Sequence, residues 1–238
     1  MKPYSLIIFD LDGTLSDPYP GIARSIRYAL EKMGRPVPPV EILKLFIGPP
    51  LHHSFQEHCL FSREEADEAV QFYRERYTEK GLYENELYPG ISELLLSLKE
   101  KDCKLCVATS KPIAFAERIL SHFQISHIFD YIEGASLDGS YSDKKDIISS
   151  VLLHFREYEK KNILMIGDRK YDVIGANHSG IDSAAVLYGY GTEDEFFQSA
   201  DASPTYLIRT VEELYSSFGV ERKFNIKQRC ESDVHSKC

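Results

Sequence analysis

Two aspartates one residue apart, Asp10 and Asp12, follow directly on the apolar run Leu6–Phe9 in the string SLIIFDLDGTLSD. In an extended segment residues i and i+2 point the same way, so both carboxylates leave the strand end on one side. Held that close they repel each other, and a cation between or beside them is expected. Mg²⁺ suits an all-oxygen donor set and keeps several of its waters. D-x-D-G is also turn chemistry, but a turn alone does not call for an entire apolar strand ahead of it.

Three further strings put reactive side chains at strand ends or helix starts. In ILMIGDRKYDVIGA the apolar run Ile163–Ile166 ends in Gly167-Asp168, with Asp172 four residues on. A helix beginning near Arg169 would let Asp168 and Asp172 meet on one side of its first turn; alone, the string serves as well as a helix cap. In LCVATSKP, Thr109 and Ser110 offer hydroxyls where a strand stops, with Pro112 starting the next helix. Hydroxyls and backbone N–H groups there can hold a phosphoryl oxygen, or simply cap the helix. In SDKKDII, Lys144 and Lys145 fall in a helix's first turn, where the macrodipole disfavours cations. An anionic partner would offset this for one lysine, while Asp143, Asp146 and solvent suffice for the other.

The elements that must position these groups alternate. Short apolar runs at Leu6–Phe9, Leu105–Ala108, Ile163–Ile166 and Ala184–Leu187, with weaker ones at Tyr131–Ile132 and Tyr206–Ile208, read as buried parallel strands. Helical stripes separate them, such as Ile91, Leu94, Leu95 and Leu98, or Ile147, Ile148, Val151, Leu152 and Phe155. Thr192-x-x-Glu195 and Thr210-x-x-Glu213 read as helix starts. The alternation predicts an α/β doubly wound, mostly parallel sheet, with ligands beyond the carboxyl ends of its strands. From about Tyr19 to Asn85 no strand is evident. Ile22, Ile26, Leu30 and Met33 form one helical stripe, and Ser62-x-x-Glu65 opens another helix with Ala66, Ala69, Val70, Tyr73 and Tyr77 along one side. The expected organisation is a core of residues 1–17 and 86–220, a helical cap of residues 18–85 inserted after the first strand, and a peripheral polar tail, 221–238.

Composition narrows the classes. The chain has 238 residues, 43% of them hydrophobic, enough to bury a substantial core. A net charge of -9 argues against broad binding to nucleic acid or anionic membranes. No apolar run approaches the roughly 18 residues of a membrane span, and MKPYSL has no secretory pattern. Five cysteines, with C-x-x-C only at Cys103–Cys106 and no second pair, read as reduced thiols of a cytoplasmic protein rather than a zinc site.

Taken in order, D-x-D-G-T, a hydroxyl, a lysine and G-D-x-x-x-D resemble the four motifs of the haloacid dehalogenase-like hydrolase superfamily, carried by DLDGT, Thr109, Lys144 and GDRKYD. The resemblance covers about Ser5 to Thr210. The helical insertion is similar to the cap of phosphoglycolate phosphatase-like members, and GPPLHH, ATSKP, SLDGS, GDRKYD and LYGYG resemble the bacterial 5'-nucleotidase-like branch. The resemblance implies a Mg²⁺-dependent phosphatase acting on a small phosphomonoester through an aspartyl-phosphate on Asp10. Asp12 would serve as acid and base, and Thr109, Ser110 and Lys144 would bind the phosphoryl oxygens; the K-x-D-I-I spacing matches better from Lys144 than from Lys145. The metal would be held by Asp10, the Asp12 backbone carbonyl and Asp168, with Asp172 and Gly13 in support. Asp12 sets the chain apart from the metal-free dehalogenases of the superfamily. Lys170-Tyr171, and Ser16-Asp17-Pro18 after DGTL, depart from the branch's pattern without touching these groups. Alternatives are phosphoglycolate phosphatase, a phosphomutase, or a non-catalytic binding member. Substrate choice is expected in the cap, first at Gly48, Pro49, Pro50 and His52, with His53 beside it; the adjacent histidines read equally as surface or packing groups of an amphipathic helix, and Arg24 and Arg27 more simply as solvated. A monomer or homodimer with a small-molecule partner is expected.

Overall fold

The computed structural model describes residues 1–197 and 200–222; beyond Glu221 and Arg222, the tail expected to be peripheral lies outside them, as do Cys230 and Cys238. In chain order the elements are β1 (Leu6–Phe9), β2 (Ser16–Asp17), α1 (Tyr19–Lys32), α2 (Val40–Lys44), α3 (Leu51–Cys59), α4 (Arg63–Glu79), β3 (Glu86–Leu87), α5 (Ile91–Lys99), β4 (Lys104–Pro112) and α6 (Ile113–His122). There follow β5 (Tyr131–Ala135), α7 (Lys144–His154), β6 (Ile163–Gly167), α8 (Lys170–Ser179), β7 (Asp182–Val186), α9 (Glu193–Phe197), β8 (Tyr206–Ile208) and α10 (Val211–Phe218).

Six strands form one parallel sheet in the order β5-β4-β1-β6-β7-β8. Its centre is apolar on both faces because both are covered by helices. Ile7, Phe9, Leu105, Val107, Leu164 and Ile166 face one cluster; Leu6, Ile8, Cys106, Ile163 and Met165 face another with Ile147, Ile148 and Val151 of α7. Each such side chain contributes about 1.5–3 kcal/mol when fully buried. The sheet reverses direction of growth at β1, which has β4 on one side and β6 on the other, and a ligand crevice forms at that switch. Phe9 pairs with Val107 and with Ile166. The next residues, Asp10, Ala108 and Gly167, therefore lie at one level across three adjacent segments of chain. This register brings the DLDGT, ATSKP and GDRKYD strings together.

The helices after β2 grow from local signals. Ser62 caps α4 with both halves of a capping box, its hydroxyl accepting from the Glu65 N–H at 3.2 Å while Glu65 accepts from the Ser62 N–H at 2.9 Å. Ile22, Ile26 and Leu30 of α1 and Ala66, Ala69, Tyr73 and Tyr77 of α4 are buried. Their cluster is continuous with the Phe9 and Val107 face of the sheet. A two-residue antiparallel ribbon, β2 with β3, joins the two strands of chain that run into and out of the helices.

Two boundaries differ from the sequence expectation. Strand β4 runs on through Thr109-Ser110-Lys111 to Pro112, with a register shift against β5 between Thr109 and Pro112; Pro112 is the residue before α6 rather than its first. Strand β7 begins at Asp182 and ends at Val186, earlier than the apolar run suggests.

At the far end of the sheet from the site, Asp130 takes Lys99 at 2.7 Å, Lys104 at 2.8 Å and the Leu105 N–H at 2.9 Å. Burial works against the Asp130 carboxylate, but these donors outweigh it and lower its pKa to about 2. A depressed acid contributes stability that is present above its unfolded pKa, about 4, and is lost as pH falls through the folded value. Asp130→Asn is therefore expected to cost about 1 kcal/mol at neutral pH, the partly exposed lysines limiting the effect. The difference from the parent protein should vanish between about pH 4 and pH 2 in denaturant titrations.

Candidate active site

Asp10 and Lys144 form the floor of the crevice. Lys144 Nζ donates to Asp10 Oδ1 at 2.7 Å and to the Ala108 carbonyl at 2.9 Å, and stands 2.8 Å from Asp172 Oδ1. Burial disfavours the ammonium, yet the Asp10 and Asp172 carboxylates outweigh it and raise the lysine's pKa. The cation that the macrodipole disfavours at the start of α7 is thus paired, while Asp143 caps that helix through the Lys145 N–H at 2.8 Å. Lys145 stays half-buried away from this cluster.

Asp168 and Asp172 converge from the start of α8. Asp168 is not the helix cap: Arg169 holds that position, and Asp172 Oδ2 accepts from the Arg169 N–H at 3.1 Å. Asp168 Oδ2 accepts from the Tyr190 N–H at 2.8 Å. Burial, with Asp10 and Asp172 close by, pushes Asp168 well above the usual carboxylate range. Asp172 rises to about 6, through burial opposed by Lys144. Close approach explains the glycines: a Cβ on Gly13, whose φ is +86°, would meet Asp168 Oδ2 at 2.1 Å, and one on Gly189 of LYGYG would meet the Gly13 carbonyl at 2.2 Å.

Asp12 turns to a different partner, Lys111. Their charged atoms stand 2.6 Å apart, and Lys111 also donates to the Tyr77 hydroxyl of α4 at 2.6 Å. Burial raises the Asp12 pKa against the opposing effect of Lys111. Buried Thr109 accepts from the Lys111 N–H at 3.2 Å, which leaves its own hydroxyl proton available.

A cavity of about 860 Å³ opens above these groups. Asp10, Asp12, Thr109, Ser110, Lys144 and Asp172 line it, while Gly48, Pro49, Pro50 and His52 face it from the helical segment. Asp168 and Gly13 are not on its wall; they pack behind it. His52 Nε2 lies 3.0 Å from Asp67 Oδ1, and His53 forms an exposed pair with Glu57 at 3.2 Å. Arg24 pairs with Glu84 at 2.9 Å, and both Arg24 and Arg27 are exposed outside the cavity. Sequence reading missed Lys111 and Arg169, both of which line the cavity. For Arg169 a signal existed: a cation at the start of α8, the same anomaly that points to Lys144 or Lys145.

The family model described as haloacid dehalogenase-like hydrolase matches residues 7–186. The chain belongs to the haloacid dehalogenase-like hydrolase family. It is 45% identical over 192 residues to a 5'-nucleotidase of Pseudomonas aeruginosa, covering 81% of this chain and 86% of that protein. It is 40% identical over 215 residues to the tyrosine-protein kinase PtkA of Mycobacterium tuberculosis, covering 90% and 72%. A phosphoglycolate phosphatase of P. aeruginosa is 28% identical over 217 residues, covering 88% and 78%. Among solved structures, a predicted phosphatase from Clostridium acetobutylicum superposes with a TM-score of 0.84 at 41% identity, covering 91% of this chain and 98% of that one. This family member is accordingly an enzyme of the phosphoric monoester hydrolase type.

The donor set suits the divalent cation the family implies. Asp10, Asp168 and Asp172 each bring a carboxylate oxygen to within 4.8 Å of the others, all three buried. Among the described residues no hydrogen-bond donor meets the buried Asp12 Oδ1, and Asp172 Oδ1 has only the Lys144 ammonium, at 2.8 Å. Three buried carboxylates with one lysine leave excess negative charge, and oxygen-only donors fit Mg²⁺. The Asp12 side chain stands outside this cluster, so a share of Asp12 in the metal would fall to its backbone carbonyl. No helix among the described residues is long and apolar enough to cross a membrane.

Proposed function

We propose that this enzyme hydrolyses small phosphomonoesters in two steps, with residues 18–85 acting as a cap over a core of residues 1–17 and 86–220. The observation that carries the reading is the buried Asp10, paired to Lys144 at 2.7 Å on the floor of a large cavity, with Asp12 beside it on a separate cation. An oxygen of Asp10 attacks phosphorus and the bond to the leaving oxygen breaks, giving an aspartyl-phosphate. Asp12 gives its proton to the leaving oxygen, then takes one from the water that attacks phosphorus and frees Asp10 and phosphate. The raised pKa of Asp12 favours the protonated form that the first step requires. Lys144 and the Thr109 hydroxyl, with Ser110, neutralise and orient the phosphoryl oxygens. Asp10, Asp168 and the Asp12 carbonyl, with Asp172 in support, would hold Mg²⁺, which would supply positive charge for the phosphoryl group.

A nucleoside 5'-monophosphate is the substrate class we favour. At about 860 Å³ the cavity lies within the roughly 300–1,000 Å³ that holds drug-sized ligands, whereas phosphoglycolate carries only a few atoms beyond its phosphate. Aromatic Tyr73 and Tyr171 and the amides Gln56 and Gln71 line the wall and suit a base and sugar. We infer a cytoplasmic enzyme, a monomer or homodimer.

The test is phosphate release from AMP, IMP, UMP, phosphoglycolate, sugar phosphates and p-nitrophenyl phosphate, with Mg²⁺ and with chelator. Metal-dependent release that prefers nucleotides is expected. A preference for phosphoglycolate would overturn the substrate class, and release undiminished by chelator would overturn the metal.

A further inference from the structure

The turn Gly48-Pro49-Pro50 reaches the cavity wall from the helical segment, and the side chain that meets it from the sheet side is Arg169. Arginine is a poor residue for a helix N-cap, and its charge opposes the macrodipole there. Its side chain leaves the helix altogether. Nη1 donates to the carbonyl of Ile47, and Nε stands 3.1 and 3.3 Å from the two carboxylate oxygens of Glu195. Glu195 in turn accepts from the Lys170 N–H at 3.0 Å, so one carboxylate holds both the arginine and the first turn of α8. A Cβ on Gly48, where φ is +105°, would lie 3.2 Å from both Cγ and Nη1 of Arg169. Arg169 is 9% exposed, and Ile47 is fully buried. A buried guanidinium carries a desolvation cost that is offset where its donors are met; here Nε is met by Glu195 of α9 and Nη1 by the Ile47 carbonyl just before the turn.

We propose that Arg169 is a positioning residue for substrate recognition: with Glu195 it pins the Gly48-Pro49-Pro50 turn over Asp10, so that the turn bounds the leaving-group half of the cavity. The inference rests on the phosphatase reading. Its effect grows with the reach of the leaving group, because a short ester ends before the turn. Lysine is a poor replacement, since one ammonium cannot reproduce the fork that meets Glu195 and the Ile47 carbonyl together.

The test compares Arg169→Ala and Arg169→Lys with the parent enzyme on AMP and on phosphoglycolate. For AMP, KM is expected to rise about tenfold or more with kcat within about threefold, while kcat/KM for phosphoglycolate stays within about threefold. Equal losses on both esters overturn the proposal, as does a fall in Mg²⁺ affinity, measured by calorimetry, that accounts for the whole loss. Hydrogen exchange at residues 46–51 in the substrate-free protein reads the tether without turnover: faster exchange in Arg169→Ala is expected, and unchanged exchange overturns it. Should that variant fail to fold, Gly48→Ala disturbs the same contact from the turn's side and is expected to give the same dependence on ester size; equal effects on both esters overturn the proposal there too. If the parent enzyme turned over neither ester, the phosphatase reading would fall while the exchange measurement still decided the tether.

Discussion

Asp10→Asn should abolish turnover and leave the fold in place. Asparagine has nearly the shape of aspartate, but its amide is no nucleophile toward phosphorus, and losing a covalent nucleophile typically costs on the order of 10⁴-fold or more in kcat. The fold should tolerate the change because the substitution removes one of three mutually repelling buried carboxylates, and Lys144 retains Asp172 and the Ala108 carbonyl. The expected result is an unchanged circular dichroism spectrum, a thermal midpoint within a few degrees of the parent, and no measurable phosphate release. Activity near the parent level would contradict the assignment of Asp10.

Lys144→Met should damage both stability and activity, and is the stability change with the largest expected effect. It leaves Asp10, Asp168 and Asp172 buried together without the ammonium that now sits 2.7 and 2.8 Å from two of them. Removing one partner of a buried ion pair costs about 3–5 kcal/mol, and for a chain of this size each kcal/mol moves the thermal midpoint by about 2–4 °C. A fall of about 10 °C is therefore expected in chelator. Mg²⁺ should return part of it, since a ligand that binds only the folded state stabilises by mass action. Lys145→Met, outside the cluster, should change stability by less than about 0.5 kcal/mol. Similar losses in the two variants would contradict the choice of Lys144 over Lys145.

Much of this arrangement was legible because local physics and global placement agree at the residues concerned. Leu6–Phe9 reads as a central strand since both its faces are buried, and the structure places it between two other parallel strands. Ser62 and Glu65 announce α4 through a contact three residues long. The macrodipole argument finds the pair Lys144 and Lys145 because one of them calls for anionic partners, whatever their position in sequence; the K-x-D-I-I resemblance chooses Lys144. What was not legible depends on partners far along the chain. The ribbon β2–β3 has two residues a side and no period to detect. The extension of β4 is imposed by pairing with β5 rather than by apolar pattern. Lys111 sits in a string read for its hydroxyls, and nothing local says that its ammonium meets Asp12 and Tyr77. The glycines of LYGYG have meaning only against Gly13 and Asp168, which a Cβ at Gly189 would strike.

The central claim is that Asp10 carries the phosphoryl group, and the most direct test is to trap it. Enzyme turning over its best phosphomonoester with Mg²⁺ would be quenched into hydroxylamine, which converts an acyl phosphate to a hydroxamate, and the peptide spanning residues 5–17 read by tandem mass spectrometry. The account predicts a hydroxamate at Asp10, dependent on substrate and missing when substrate is withheld. Turnover with no modification at Asp10, or with the label on another residue, would contradict it.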